Sequence, residues 1–239
     1  MAFYDFFLGG ARQLQAHITR LSNRNTQADD REASARWLSE KGTDEAIYGM
    51  FGRFDLQVEH MLKDRNEKEL VVDLLVTHGA KAVEQARKFA AASPNFQYAV
   101  RVVQEIQGEP AAVDLLLELL AQERIENELK PEKKRHLLIA LAERKDPRIV
   151  GAAARFLADY DEGVRAGAVE ALAAQDGDEA QPHLWNALIN RKEESTRIRG
   201  RLAEVFAKRS WPIDPEESWL PNHLPGGYRL LEGRIVPVR

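Results

Sequence analysis

The chain has 239 residues, 44% of them hydrophobic and 30% charged, with a formal net charge of −4 and a pI near 5.9. It is long enough to bury a full-sized core, and its acidic balance offers no overall basic field to attract nucleic acid or anionic lipid. The lack of cysteine excludes disulfides, thiolate metal sites and cysteine nucleophiles; no stretch approaches the roughly 18 apolar residues of a membrane span, and MAFYDFFLGGARQL lacks a basic leader and cleavage site, so a cytoplasmic location is expected.

Residues 3 to 8, FYDFFL, followed by Gly9-Gly10 and the amphipathic ARQLQAHITRL, are expected to plug the apolar end of the first unit. The other reading is an aromatic segment inserted into a partner or a membrane surface, which Asp5 and the acidic chain argue against. Helical segments then alternate. DDREASARWL, ending at Leu38, opens a series continued by RNEKELVVDLL to Leu75, SPNFQYAVRVVQEI to Ile106, PEKKRHLLIAL to Leu141, DEGVRAGAVEAL to Leu172 and STRIRGRLAEVF to Phe206, at spacings of 37, 31, 35, 31 and 34. Between these copies lie DEAIYGMFGRF, AKAVEQARKFAAA, PAAVDLLLELL, PRIVGAAARFLA and DEAQPHLWNALI. Gly42, Gly79, Gly108 and Gly177 stand where helices should end, and Pro94, Pro110, Pro131 and Pro147 stand at first helical turns.

The expected fold is therefore all-α: an α-solenoid of about six helical hairpins over residues 1–210, with units near 1–42, 43–79, 80–108, 109–145, 146–176 and 177–210. After Ala207 the composition changes, because WPIDPEESWLPNHLPGGYRLLEGRIVPVR holds half of the ten prolines and two of the four tryptophans. Residues 211–239 read as a short irregular tail in which YRLL-EG-RIVPV outlines a small hairpin. Such a tail either lies back over the last helices, anchored by Trp211 and Trp219, or is offered to a partner by strand addition.

Seven residues before each terminal apolar residue the column reads Arg31, Lys68, Ala99, Lys134, Arg165, Arg199, so five of six positions are basic. Seven residues is two helical turns, which places each cation only about 20° from the core-facing direction. A charge there must be paired. Eleven residues back stand Gln27, Asp64, Asn95, Lys130, Asp161 and Ser195, four of them good N-caps. A capping carboxylate or amide that also accepts from the guanidinium of a neighbouring unit would give a polar ladder along the stack; a ligand-binding stripe is the alternative.

The pattern D-x-x-V-R-x-x-A-V-x-A-L, with D-P-R-I-V-x-x-A-A-x-F-L, resembles HEAT repeats, particularly the short kind also found in phycobiliprotein lyases. The resemblance is sharp over residues 146–207 and runs in frame over 26–145. It implies an Asp–Arg ladder through Asp161, Arg165 and Arg199, interrupted where Ala99 and Lys130 break the columns. Such solenoids serve many unrelated roles.

The six histidines show no H-x-x-x-H or H-E-x-x-H spacing, and G-x-S-x-G, P-loop and G-x-G-x-x-G motifs are lacking, so no catalytic, metal or cofactor site is assigned. The His-Glu pairs of deoxyhypusine hydroxylases are missing, and the tryptophans used by HEAT-like alkylpurine DNA glycosylases are here spread one to an element as Trp37, Trp185, Trp211 and Trp219. The expected function is a non-catalytic adaptor or assembly scaffold that binds another protein on its concave face, lined by the second helices. The alternative is a HEAT-type enzyme or accessory of the lyase or glycosylase kind. Expected contact residues are Arg101, Gln104, His136, Ile139, Gly163, Gly167, Glu170, Arg201 and Glu204, with Ile139 and His136 over a shallow notch where Gly163 and Gly167 leave backbone uncovered. Each interior glycine costs up to about 1 kcal/mol relative to alanine; either Gly163 belongs to the turn and Gly167 permits close helix packing, or a partner peptide or helix docks in the notch. Replacing Ile139 or Gly167 is accordingly expected to abolish partner capture without lowering the melting temperature.

Overall fold

The structure, a computed structural model, describes residues 2–125, 131–214 and 216–238, with side chains described from Gly9 onward. The expected FYDFFL plug lies outside the described side chains, and Lys130 lies outside the described residues. Among the described residues the chain forms twelve α-helices and one two-stranded sheet. The helices follow one another in pairs: α1 (Ala2–Leu21) with α2 (Ala28–Lys41), α3 (Asp44–Phe51) with α4 (Met61–Val76), and α5 (Ala80–Ala92) with α6 (Gln97–Gln107). Then come α7 (Glu109–Gln122) with α8 (Pro131–Ala142), α9 (Arg148–Ala154) with α10 (Glu162–Ala174), and α11 (Gln181–Leu188) with α12 (Thr196–Arg209). Gly42 ends α2 in the left-handed region, at φ 59°, and Thr43 Oγ1 then caps α3 by accepting from Ala46 N.

Two compact units divide between Leu115 and Leu116, inside α7. In the first unit α1 packs on α2 and α3, α3 on α5, α2 on α4, and α4 on α6, around Leu38, Ile47, Phe51, Leu75, Phe89 and Val103. In the second, α10 packs on α8, α9 and α12, and α12 on α11. Its core holds Leu138, Phe156, Leu172, Leu184 and Phe206.

The cations of the second helices lie on the packed side. Arg31 and Lys68 are buried, Lys134 is 1% exposed, and the side chain of Arg165 is 19% exposed. In the second unit their acceptors are not the N-caps but the acids two residues before them. Lys134 Nζ donates to Asp159 Oδ2 at 2.6 Å, while Asp159 Oδ1 accepts from the Asp161 amide at 3.0 Å. Arg165 grips Glu193 bidentately at 2.8 and 3.0 Å, while Glu193 Oε1 accepts from the Ser195 amide at 2.9 Å. Each acid thus shapes the loop entering one second helix and neutralises the cation of the preceding one. Asp161 caps α10 through Val164 N, as expected, but its ladder partner is Arg135 rather than a member of the basic column. Arg199 follows α12's cap Ser195; it donates to the Glu193 and Asn190 carbonyls and lies 4.8 Å from the Trp219 ring.

The first unit solves the same problem differently. Arg31 donates to both oxygens of Glu67 at 2.7 Å, and Lys68 pairs with Asp64 one turn earlier on α4. Asp64 is not the cap it was expected to be: α4 begins at Met61, and the carboxylate accepts instead from Val58 N and from Arg53. Asn95 likewise caps nothing; α6 starts at Gln97, and the Asn95 side chain donates to Asp55. Arg53, wholly buried in a 3₁₀ turn after α3, joins Asp64 to Glu67 at 2.8 and 3.0 Å and donates to the Leu56 carbonyl.

The tail is bound into the second unit. Strands β1 (Tyr228–Leu231) and β2 (Arg234–Pro237) pair antiparallel across Glu232 and Gly233, whose φ values of 50° and 71° are both positive, as a type I′ turn requires. β2 packs on α12, and Ile213 N donates to the Gly233 carbonyl. Trp211 is 4% exposed, donates to Asp178 at 2.6 Å and meets the Phe206 ring edge-on.

Burial alone would raise the carboxyls of Asp64, Glu67 and Glu193, but hydrogen-bonded cations outweigh it and hold all three below the usual carboxylate range. A depressed carboxylate contributes stability that is present above its unfolded pKa and lost as pH falls through the folded one. The carboxylate contribution to unfolding free energy should therefore be nearly flat from about pH 7 to 5 and fall below about pH 4.5, while His17 and His78, held below the usual histidine value by burial, add a separate loss as pH falls through about 6.5. Glu193→Gln should lose on the order of 3 kcal/mol or more at pH 7, a deficit that shrinks towards pH 3, read by urea titration at each pH. A deficit of the same size at both ends of the range would contradict the assignment.

Candidate partner-binding surface

The nine residues expected to contact a partner divide between the two units, Arg101 and Gln104 on α6 in the first and the other seven on or beside α8, α10 and α12 in the second. Their geometry is described unit by unit. On the second-helix side of the first unit, Arg101 donates to Glu69 of α4 and to Glu105 one turn on, both at 2.7 Å. Gln104 is half-buried on the same helix. In the second unit Arg201 of α12 repeats this arrangement. It grips Glu170 of α10 at 2.7 and 2.8 Å and reaches Glu204 at 2.9 Å, where Lys208 also binds. Hydrogen bonding to Glu69 and to Glu170 holds both guanidiniums above the ordinary arginine value, so each is a permanent cation with two counter-charges.

Three further residues belong to this charged surface and were not singled out from the sequence. Arg135 of α8 reaches both oxygens of Asp161, and Glu162 of α10 accepts from Ser195 and Arg197 at 3.0 Å. Only their sequence neighbours carried a repeat signal. Successive second helices are thus cross-linked by charge, α8 to α10 and α10 to α12, and little of this charge is left over for a ligand.

Ile139 departs from that pattern. It is 52% exposed on α8, one turn from exposed His136. The uncovered backbone expected beside it is not present. A Cβ on Gly167 would stand 3.2 Å from Leu138 Cβ, and one on Gly163 would stand 2.6 Å from Arg135 Nε. Gly167 is buried, and its lack of a Cβ lets α8 and α10 approach, which accounts for its cost in helix propensity; Gly163 faces only the flexible Arg135 side chain. The expectation that Gly167 can be replaced without loss of stability is corrected accordingly.

The four tryptophans are engaged in packing. Trp37 stacks on His17, Trp185 meets Phe206, Trp211 is buried against Phe206, and Trp219 stacks on His223 under Arg199. Among the described residues no group of three His, Asp or Glu side chains could hold a metal ion, and no helix is long and apolar enough to cross a membrane.

The family model for HEAT repeats matches residues 122–205. No curated protein matches the chain. Among solved structures, a TOG domain from C. elegans Zyg9 is similar at 12% identity and a TM-score of 0.45, over 81% of this chain and 80% of that one.

Glycine substitutions separate packing from propensity. Within α12 a Cβ on Gly200 would have nothing within 4 Å, so Gly200→Ala should gain up to about 1 kcal/mol. Gly167→Ala should lose about 1–2 kcal/mol, because Leu138 is met at its Cβ and cannot swing away. Urea midpoints that move in the same direction for both variants would contradict the packing account.

Proposed function

We propose that this HEAT-repeat protein is a non-catalytic adaptor or assembly scaffold that binds another protein along the face formed by its second helices, and that it works in the cytoplasm. The observation that carries the reading is Ile139, a half-exposed branched apolar side chain on α8, with Arg135–Asp161 and Arg201–Glu170 already paired on the second helices of the same unit. Protein interfaces concentrate affinity in a few anchors surrounded by contacts that exclude water and add little energy themselves. Ion pairs already closed within the chain, as in Arg135–Asp161 and Arg201–Glu170, can form such a rim without leaving a lone charge buried. His136 and Glu170 flank the anchor in this reading, and Arg201 and Glu204 continue the rim on α12.

Ile139→Arg in the tagged full chain should leave the melting temperature nearly unchanged, since surface changes usually stay within about 0.5 kcal/mol. Recovery of the stoichiometric partner from native cells should fall about tenfold or more, the equivalent of about 1.4 kcal/mol at the anchor. Equal recovery with the variant would remove this face from the proposal. A bound chromophore, or duplex binding that weakens with salt, would favour the enzymatic alternative.

A further inference from the structure

The C-terminal hairpin presents one open edge. Val238 N donates to the Gly227 carbonyl at 2.8 Å, which makes Gly227 and Val238 a hydrogen-bonded pair. Such pairs alternate along an antiparallel ladder, so Arg229–Val236 and Leu231–Arg234 are bonded within the hairpin, while the amides and carbonyls of Tyr228 and Leu230 point to the other side of β1. There Tyr228 N is taken by the Pro225 carbonyl at 3.2 Å. Among the described residues no strand pairs with that side, which leaves the Leu230 N–H and the carbonyls of Tyr228 and Leu230 facing outward. The outer side of β2 differs, because Pro212 bridges Arg234 and Ile213 N donates to the Gly233 carbonyl at 3.0 Å. The hairpin is also held in place, with Ile235 1% exposed and β2 packed on α12. A fixed strand with unpaired donors and acceptors along one side is a template for one more strand.

The side chains select which strand fits. Successive residues alternate between faces, so Arg229, Leu231, Arg234 and Val236 share one face and Tyr228, Leu230 and Ile235 the other. Arg229 and Arg234 are exposed, and neither has an ion pair or side-chain hydrogen bond among the described residues. Their face of the hairpin holds no carboxylate, since Glu232 lies in the turn. Like charges on one face of a ladder repel. A second copy of this chain, pairing β1 with β1, would bring two further arginines against them, whereas a strand with glutamate or aspartate on that face would neutralise them. On the other face half-buried Tyr228 and Leu230 form an apolar row that an apolar residue of the added strand would cover.

We infer that β1 receives an extended segment of another protein in which acidic and apolar residues alternate, the acids on the face of Arg229 and Arg234, the apolar residues beside Tyr228 and Leu230, and the backbone bonded to Leu230. The site goes beyond the second-helix surface: it makes no use of Ile139 and stands or falls without it.

Fluorescence anisotropy of a labelled Thr-Glu-Val-Glu-Val-Glu-Thr peptide, titrated with the full chain, tests the inference. The peptide should bind with a Kd below about 1 mM. Two analogues should bind about tenfold more weakly: one with lysine in place of each glutamate, and one N-methylated on both valines, which removes the donors that face β1. Arg229→Glu with Arg234→Glu, both at exposed positions, should reverse the preference between the glutamate and lysine peptides. Leu230→Pro takes away an N–H that the hairpin itself does not use, and should weaken the glutamate peptide about tenfold. In hydrogen exchange the Leu230 amide should slow about tenfold or more at saturating peptide. No anisotropy change at about 1 mM protein, equal binding of either analogue, an unaltered preference in the double variant, undiminished affinity with Leu230→Pro, or a Leu230 amide that exchanges equally fast with peptide bound would overturn the inference.

Discussion

A cation placed on the packed side of a helix has to be neutralised within the protein, and in this chain that requirement ties successive helical hairpins together. Removing one partner from such a pair leaves an uncompensated charge out of water and costs about 3–5 kcal/mol, far more than an exposed ion pair contributes. Lys134 with Asp159 and Arg165 with Glu193 are therefore registration devices as well as contacts. Each acid also accepts from a loop amide two residues on, so the loop cannot change shape without releasing the cation, and the cation cannot leave without loosening the loop. Where the series ends, Arg199 finds no further repeat and is satisfied by two backbone carbonyls and the face of Trp219.

The repeat and its basic column were legible in the sequence because helical packing imposes a strict period. Leu38, Leu75, Leu141, Leu172 and Phe206 are all buried, and five of the six second helices present the same side to the core; in α6 Ile106 is only half-buried and Val102 and Val103 are buried instead. The caps Asp161 and Ser195 could be read for the same reason, standing at a fixed distance from those residues. The true acceptors could not, since Asp159 and Glu193 lie in loops, where no periodicity distinguishes a buried acid from a solvated one. An acid two residues before each cap, at 159 and 193, was the signal available. In the first unit even that signal fails. α4 begins earlier than the repeat frame places it, Asp64 falls inside the helix, and Arg53 enters the core from a segment that reads as plain apolar helix.

The candidate surface was partly legible. Outward positions could be assigned by angle, which found Ile139, Arg101, Arg201, Glu170 and Glu204, but angle says nothing about whether a charge is already spent on a neighbour. The structure shows that it is, through Glu69–Arg101 in one unit and Glu170–Arg201 in the other. Gly167 of DEGVRAGAVEAL is explained by the close approach of α8 to α10 rather than by an open notch. In the second unit Ile139 is an exposed apolar side chain on second helices whose charges pair with one another, an arrangement suited to an anchor with a neutral rim.

The central claim is that buried charge couples one hairpin to the next, and a double-mutant cycle on Lys134 and Asp159, both 1% exposed, tests it most directly. Unfolding free energies of Lys134→Met, Asp159→Asn and the double variant should show each single change costing about 3 kcal/mol or more and the double costing little beyond one of them, a coupling of at least about 2 kcal/mol. Additive effects, with a coupling near zero, would mean that the two groups are held independently and that the ladder does not bind the repeats together.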